Sequence, residues 1–313
     1  MIELKLQIHE DFWKGETRCG YYITPEMKKI WAVELDLLAE FMRVCKEHSL
    51  PFWADGGTLL GAVRHKGMIP WDDDIDLTMM RSDFEKLCKI APKVFRQPYF
   101  FQTEETDPGT RRGHAQLRNS LTTGILKSEY KPHVFRKSFN QGIFIDIFPL
   151  DGIPDDDIIC KGYFNELTKK RRKSDYIYKY TVGYCPSDSL LQKLRRSLIH
   201  YFMTHVAHAS YTDSYNAWEQ MLTTSSYIKT ERLGKLCFCP MEENRIWYRE
   251  DFKSSEYAKF EMLEIPIPIG FERILTTFYG DWKKYVIGDS SHGGVIFDTE
   301  QSYIEFFKKE DLE

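Results

Sequence analysis

Apolar residues recur at helical spacing from Met27 through Ile30, Trp31, Leu35, Leu38, Phe41 and Met42 to Cys45, one stripe in a polar run. Thr24 stands where a helix cap belongs, Pro25 suits the first helical position, and Ser49 and Pro51 close the run. The period then changes. "PFWAD" reads as a short strand running into Gly56-Gly57, "TLLGAVRH" (58–65) as a short helix and "DIDLTMM" as a strand. Ser82 is expected to cap the helix "DFEKLCKIA", and the β-rich stretches "YFFQTEE", "HAQLRNS", "TTGILKS" and "GIFIDIFPL" come next.

From Asp155 to about Tyr215 the pattern is helical again. "LLQKLRRSLIHYFMTHVAH" puts Leu191, Leu194, Leu198, Tyr201, Phe202 and His205 on one face. A basic run, Lys169 to Lys173, precedes it; its ordinary reading is a solvated helix face, and its functional reading is a patch facing an anionic surface. The tail "IPIPIGFERILTTFYGDWKKY" reads as a Pro-spaced strand and a short helix. The expected fold is therefore α+β: a catalytic core over 1–154, a mostly helical acceptor-side region over 155–260, and a segment over 261–313 packing back on the core.

Composition narrows the function. With 313 residues, 42% of them hydrophobic, the chain can bury a sizeable core. A formal charge of −4 gives no global reason for binding nucleic acid. The seven cysteines are scattered, and Cys237 and Cys239 form C-x-C rather than the zinc-ribbon spacing, which fits thiols in a reducing compartment. The first residues lack the apolar stretch of a leader, and no apolar run is long enough to span a membrane. A cytoplasmic protein is expected, with peripheral contact at the inner face of the membrane through the basic 169–200 region.

The candidate chemistry lies in "GGTLLGAVRHKGMIPWDDDIDL", where Asp72, Asp73, Asp74 and Asp76 place four acids in five residues. Strand alternation puts Asp74 and Asp76 on one face and Ile75 and Leu77 on the other. Asp146, between Ile145 and Ile147, repeats the device on a later strand. A lone acid in an apolar strand is costly to bury unless paired or metal-bound, and hard carboxylate oxygens suit Mg²⁺ or Mn²⁺. Asp74, Asp76 and Asp146 are the expected metal ligands and catalytic acids of a phosphoryl or nucleotidyl transfer. An EF-hand is excluded because Leu77 stands where glycine is required, and a P-loop because Ala62 follows Gly61 where lysine is required. Gly56, Gly57 and Thr58, at a strand-to-helix turn, are expected to cradle a phosphate. Strand, Gly-Gly, helix, D-x-D strand and a later single Asp is the nucleotidyltransferase order; a D-x-D glycosyltransferase shares the acids but not the Gly-Gly-helix element.

The motif "DGGTLLGAVRHKGMIPWDDDIDL" resembles the signature of the LicD family of bacterial phosphorylcholine transferases, with fukutin-related proteins as distant relatives. "GIFIDIFPLDGIP" resembles its second block and "IPIGFERILTTFYGDW" its C-terminal block, so the likeness covers roughly 25–180 and 260–285; the middle, about 185–255, matches no motif. The resemblance implies a nucleotidyltransferase-like mixed sheet flanked by helices. It implies a CDP-choline or other CDP-alcohol donor, and a glycan acceptor such as lipopolysaccharide or a teichoic acid precursor. Carried over residue by residue, it gives Asp74, Asp76 and Asp146 the metal, Asp146 also the acceptor proton, and Gly56, Gly57, Thr58, Arg64, His65 and Arg118 the donor phosphates. Trp71 is the candidate for an aromatic box around a quaternary ammonium, whereas Trp53 reads as core, and Asp55 and Asp151 as turn-makers.

Overall fold

The computed structural model describes residues 3–127, 130, 139–182, 189–223, 229–238, 245–288 and 294–310 of the chain. Cys185 and Cys239 lie outside them. The chain opens with the hairpin β1 (Glu16–Arg18) and β2 (Tyr21–Ile23). Thr24 then caps α1 (Pro25–Glu47), its hydroxyl accepting from Met27 N at 3.1 Å. Next come β3 (Trp53–Ala54), α2 (Gly56–Leu60) with a π-helical turn at Gly61–His65, β4 (Asp76–Met80) and α3 (Arg81–Val94). The strands β5 (Tyr99–Gln102), β6 (Ala115–Asn119), β7 (Thr123–Leu126) and β8 (Ile143–Gly152) succeed them. The helices α4 (Asp157–Thr181), α5 (Leu190–Tyr201) and α6 (Tyr211–Leu222) precede β9 (Arg232–Gly234) and β10 (Trp247–Tyr248). The chain ends with β11 (Ser255–Phe260), β12 (Leu263–Pro268), α7 (Phe271–Tyr279), β13 (Val295–Asp298) and α8 (Tyr303–Glu310).

The fold is mixed α+β. Strand β8 is its axis, buried along nearly its whole length as expected of an apolar strand covered on both faces. It pairs in parallel with β4, which in turn pairs antiparallel with β3. On its other edge it pairs antiparallel with β6 and then, at its C-terminal end, with β9. β5 and β10 complete the seven-stranded sheet. Helix α1 lies on the apolar face, where Trp31, Leu35, Leu38 and Phe41 meet Leu77, Leu117, Ile145 and Ile147 in one core. Fully burying each such side chain contributes about 1.5–3 kcal/mol. Leu233, Trp247, Phe252 and Phe260, within the span expected to be mostly helical, also belong to this core. A second core joins α4 and α6 around Tyr215 and Trp218. Within the basic run, Arg171 lies over the Trp218 ring and donates to Arg111 O, so that run is not uniformly a solvated face.

One carboxylate ties three distant segments together. Glu261, at the tip of the β11–β12 hairpin, accepts from both terminal nitrogens of Arg18 at 2.5 and 3.0 Å and from Met68 N at 3.0 Å. Its own N donates to Lys66 O. Gly67 is required here, because a Cβ would fall on the Glu261 carboxylate.

Candidate active site

The parallel register of β4 and β8 sets Asp76 beside Asp146, and the antiparallel register of β6 sets Gln116 beside Asp146. These acids therefore meet on the sheet face opposite α1. The strand β4 begins at Asp76, so Asp74 lies in the loop before it rather than on the strand, although burial still alternates, with Ile75 and Leu77 inside. The loop is fixed from both sides: Trp31 Nε1 donates to Asp72 O at 3.0 Å, and Asp76 N donates to the Thr58 hydroxyl at 2.8 Å.

Carboxylate oxygens of Asp72, Asp73 and Asp74 all lie within 4.8 Å of one another. The acids continue as a row. Burial, then Asp76, pushes the Asp74 carboxyl well above its ordinary value; burial, then Asp146, does the same to Asp76, with Lys235 opposing. At the α1 end stands Glu34, 1% exposed, whose Oε2 has no hydrogen-bond partner among the described residues. Burial, then Asp73 and Asp72, pushes this carboxyl up too. Asp146 behaves oppositely. Burial alone would raise it, but hydrogen bonds from His114 (Nε2, 3.1 Å) and Gln116 (Nε2, 2.8 Å), with the charge of Arg112, hold it below the ordinary carboxylate value. Clustered carboxylates that raise one another's pKa make a row of hard oxygen donors that fits a divalent cation.

The glycine pair makes room for these acids. Gly56 has φ +49°, and a Cβ there would lie 3.1 Å from Asp76 Oδ2; a Cβ on Gly57 would collide with Asp72 Oδ2. Gly56 N donates to the side chain of Asp55, which caps α2, and Thr58 is engaged with Asp76. Asp55 is more than a turn-maker: its carboxylate is ion-paired with Lys235, whose ammonium lies over the rings of Phe148 and Trp247. Asp151, also read as a turn-maker, is instead a fully buried counter-ion of Arg81.

Arg118 is neither a surface residue nor free to reach a donor. It is 1% exposed, and donates to Gln102 Oε1 at 2.6 Å, to Gly142 O at 2.7 Å and to Gln116 Oε1. By occupying the Gln116 carbonyl it turns the Gln116 amide nitrogen toward Asp146. Arg64 donates to the carbonyls of Trp282 and Lys284 at 2.8 and 2.9 Å, so it fastens the segment after α7. His65 and Trp71 are edge-to-face at 6.0 Å, with Tyr285 against His65 and Tyr21 against Trp71. Trp53 is core, its Nε1 bonded to Ser255.

Five residues of the site escape the sequence reading: Glu34, His114, Gln116, Lys235 and Tyr279. Burial, then the charges of Asp55, Asp72 and Asp76, pushes the Tyr279 hydroxyl up, so this hydroxyl feels the field of the acids. Glu34 carries a signal in the sequence, an acid three residues after Trp31 inside the apolar stripe. His114 and Gln116 share the alternation of Arg118. Lys235 and Tyr279 carry none.

Residues 49–182 match the family described as LicD/FKTN/FKRP, nucleotidyltransferase domain. The chain is 24% identical over 267 residues to the lipopolysaccharide cholinephosphotransferase LicD of Haemophilus influenzae, covering 80% of this chain and 88% of that protein. It is 26% identical over 158 residues to an uncharacterized protein of Rickettsia prowazekii, 48% of this chain and 57% of that one. A stretch of 32 residues is 53% identical to mouse ribitol 5-phosphate transferase FKRP, 10% of this chain and 6% of that protein.

Proposed function

From a chain whose residues 49–182 match the LicD-family nucleotidyltransferase domain, we propose an enzyme that moves phosphocholine, or a related phospho-alcohol, from a CDP-activated donor to a hydroxyl of a cell-surface glycan. CMP is released. The observation that carries this is the pairing of Asp76 with Asp146 across parallel strands, with Asp74 and Asp72 continuing the row. The names of the similar proteins, a choline phosphate transferase and a ribitol phosphate transferase, support a phospho-alcohol cargo.

Asp74, Asp76 and Asp146, with Asp72 clustered beside Asp74, would hold Mg²⁺ or Mn²⁺, which would supply neutralisation of the donor phosphates. The chain's own residues do the rest. Lys235, ion-paired with Asp55, is a cation among the described residues that opposes the charge at Asp76. The acceptor oxygen forms a bond to the phosphorus of the phospho-alcohol, the bond from that phosphorus to the CMP oxygen breaks, and the hydroxyl proton passes to Asp146. His114 and Gln116 keep that carboxylate ionised and aimed. Trp71, with Tyr21 and neutral His65 edge-to-face against it, is the candidate seat for a cationic alcohol head; the Tyr285 ring is already taken by the Arg64 guanidinium.

The test is CMP release with Mg²⁺, glycan acceptors, and CDP-choline, CDP-ribitol or CDP-glycerol in turn. Turnover with one of them, lost in Asp76→Asn at unchanged thermal stability, is expected. Turnover with UDP-sugars and with no CDP-alcohol would assign a D-x-D glycosyltransferase instead.

A further inference from the structure

Helix α5 leaves its apolar face uncovered. Leu190, Leu191, Leu194, Leu198, Tyr201 and Phe202 are between 55% and 86% exposed. At 3.6 residues per turn they fall within one arc of about 120°. The opposite side holds the helix to the protein: Arg196 donates to Lys179 O at 3.0 Å, His200 Nδ1 meets Tyr180 O at 2.9 Å, and Met203 packs on the second core. The helix start is secured by a capping box between Ser189 and Gln192. So α5 is fastened along one side and presents leucines on the other. A contiguous apolar surface of this kind on a water-exposed helix marks a contact.

The flanking charge says with what. From Ser189 to Ser210 there is no acid, while Lys193 and Arg195 border the arc on its two sides. We propose that this face of α5 is a membrane-surface anchor, lying in the interface of an anionic lipid leaflet with its leucines among the acyl chains and its basic flanks at the phosphates. A second copy of the chain is a poorer occupant, because a self-complementary contact would bring Lys193 and Arg195 against their own equivalents. Anchoring through α5 requires neither the basic run at 169–173 nor the proposed phospho-alcohol transfer.

The experiment is co-sedimentation of the full chain with vesicles of phosphatidylcholine alone or with about a third phosphatidylglycerol, in low and high salt. Binding to the anionic vesicles is expected, weakened by salt and by omitting phosphatidylglycerol. Leu194→Glu/Leu198→Glu should lower the partition coefficient at least tenfold, and Lys193→Gln/Arg195→Gln should remove the preference for anionic lipid. The leucines project from the surface, so their variant should keep the wild-type melting temperature. Protein that stays in the supernatant with both vesicle types would overturn the proposal, as would binding that Leu194→Glu/Leu198→Glu leaves unchanged. So would a concentration-dependent dimer in sedimentation velocity that this double variant abolishes while vesicle binding is absent.

Discussion

Replacing Lys235 by methionine tests how the acid row is tolerated. The ammonium is 10% exposed and its partner Asp55 4%, so neither charge has water to fall back on. Methionine keeps most of the contact with Phe148 and Trp247 but leaves Asp55 buried without this counter-ion, and removes from Asp76 a positive charge that opposes its neighbours. Breaking a buried pair from one side costs about 3–5 kcal/mol. For a chain of this size, at roughly 2 °C per kcal/mol, the melting temperature should fall by about 6–10 °C. Asp55→Asn should cost less, about 1–3 kcal/mol, because asparagine still caps α2 and Asp76 still faces the lysine. The double variant removes both charges, so its loss should be smaller than the sum by at least about 2 kcal/mol. Urea unfolding in EDTA measures all three without metal. A Lys235→Met loss under about 1 kcal/mol, or strict additivity in the double variant, would refute the reading of Lys235 as the buried counter-ion of Asp55 and Asp76.

Arg118→Met should cost about 3–5 kcal/mol by urea unfolding, since it strands Gln102, Gln116 and Gly142 O in the interior; Arg118→Lys should recover little, one ammonium being unable to span three acceptors. In CMP release both should lower kcat more than they raise KM, because Arg118 acts through Gln116 on Asp146. Gly57→Ala should leave stability within about 1 kcal/mol, as its φ is not left-handed and alanine favours a helix, yet weaken Mn²⁺ binding measured by electron paramagnetic resonance, because the new Cβ pushes Asp72 aside. Burial, then Arg64 and Arg18, pushes His65 down to about 4 from 6.5. The unfolded chain therefore binds the extra proton first, and stability is lost as pH falls from about 6.5 to about 4. At this half-buried site the loss is roughly 1–2 kcal/mol after solvent screening, and His65→Gln should flatten that acid limb in unfolding curves taken across pH.

How far the sequence could be read depends on what kind of pattern each feature leaves. The alternation at Ile75-Asp76-Leu77 and Ile145-Asp146-Ile147 reports one buried face and one polar face, so two acids could be placed on strands before their pairing was known. Helix α1 was legible for the same reason, with its cap. That β4 and β8 are neighbours is a long-range fact that no local period encodes. Lys235 illustrates the limit: it reaches the site only because β9 joins the end of β8, and its surroundings, "GKLCFC", hold no spacing that points there. Arg64 and Arg118 show the converse. Basic residues inside a phosphate-handling motif invite a ligand role, yet their partners here are protein oxygens, three carbonyls and two glutamine amides among them.

The clasp at Glu261 separates what is inherited from what can stand alone. Similarity draws a module from residue 49 to residue 182. A recombinant swap at those borders would keep Met68 but discard the carboxylate that receives its N–H, the Arg18 that holds that carboxylate, and the helix whose Trp31 supports Asp72. Homologous exchange of that module therefore demands co-adapted ends: the hairpin tip and the first helix have to drift in step with a loop more than a hundred residues from one of them.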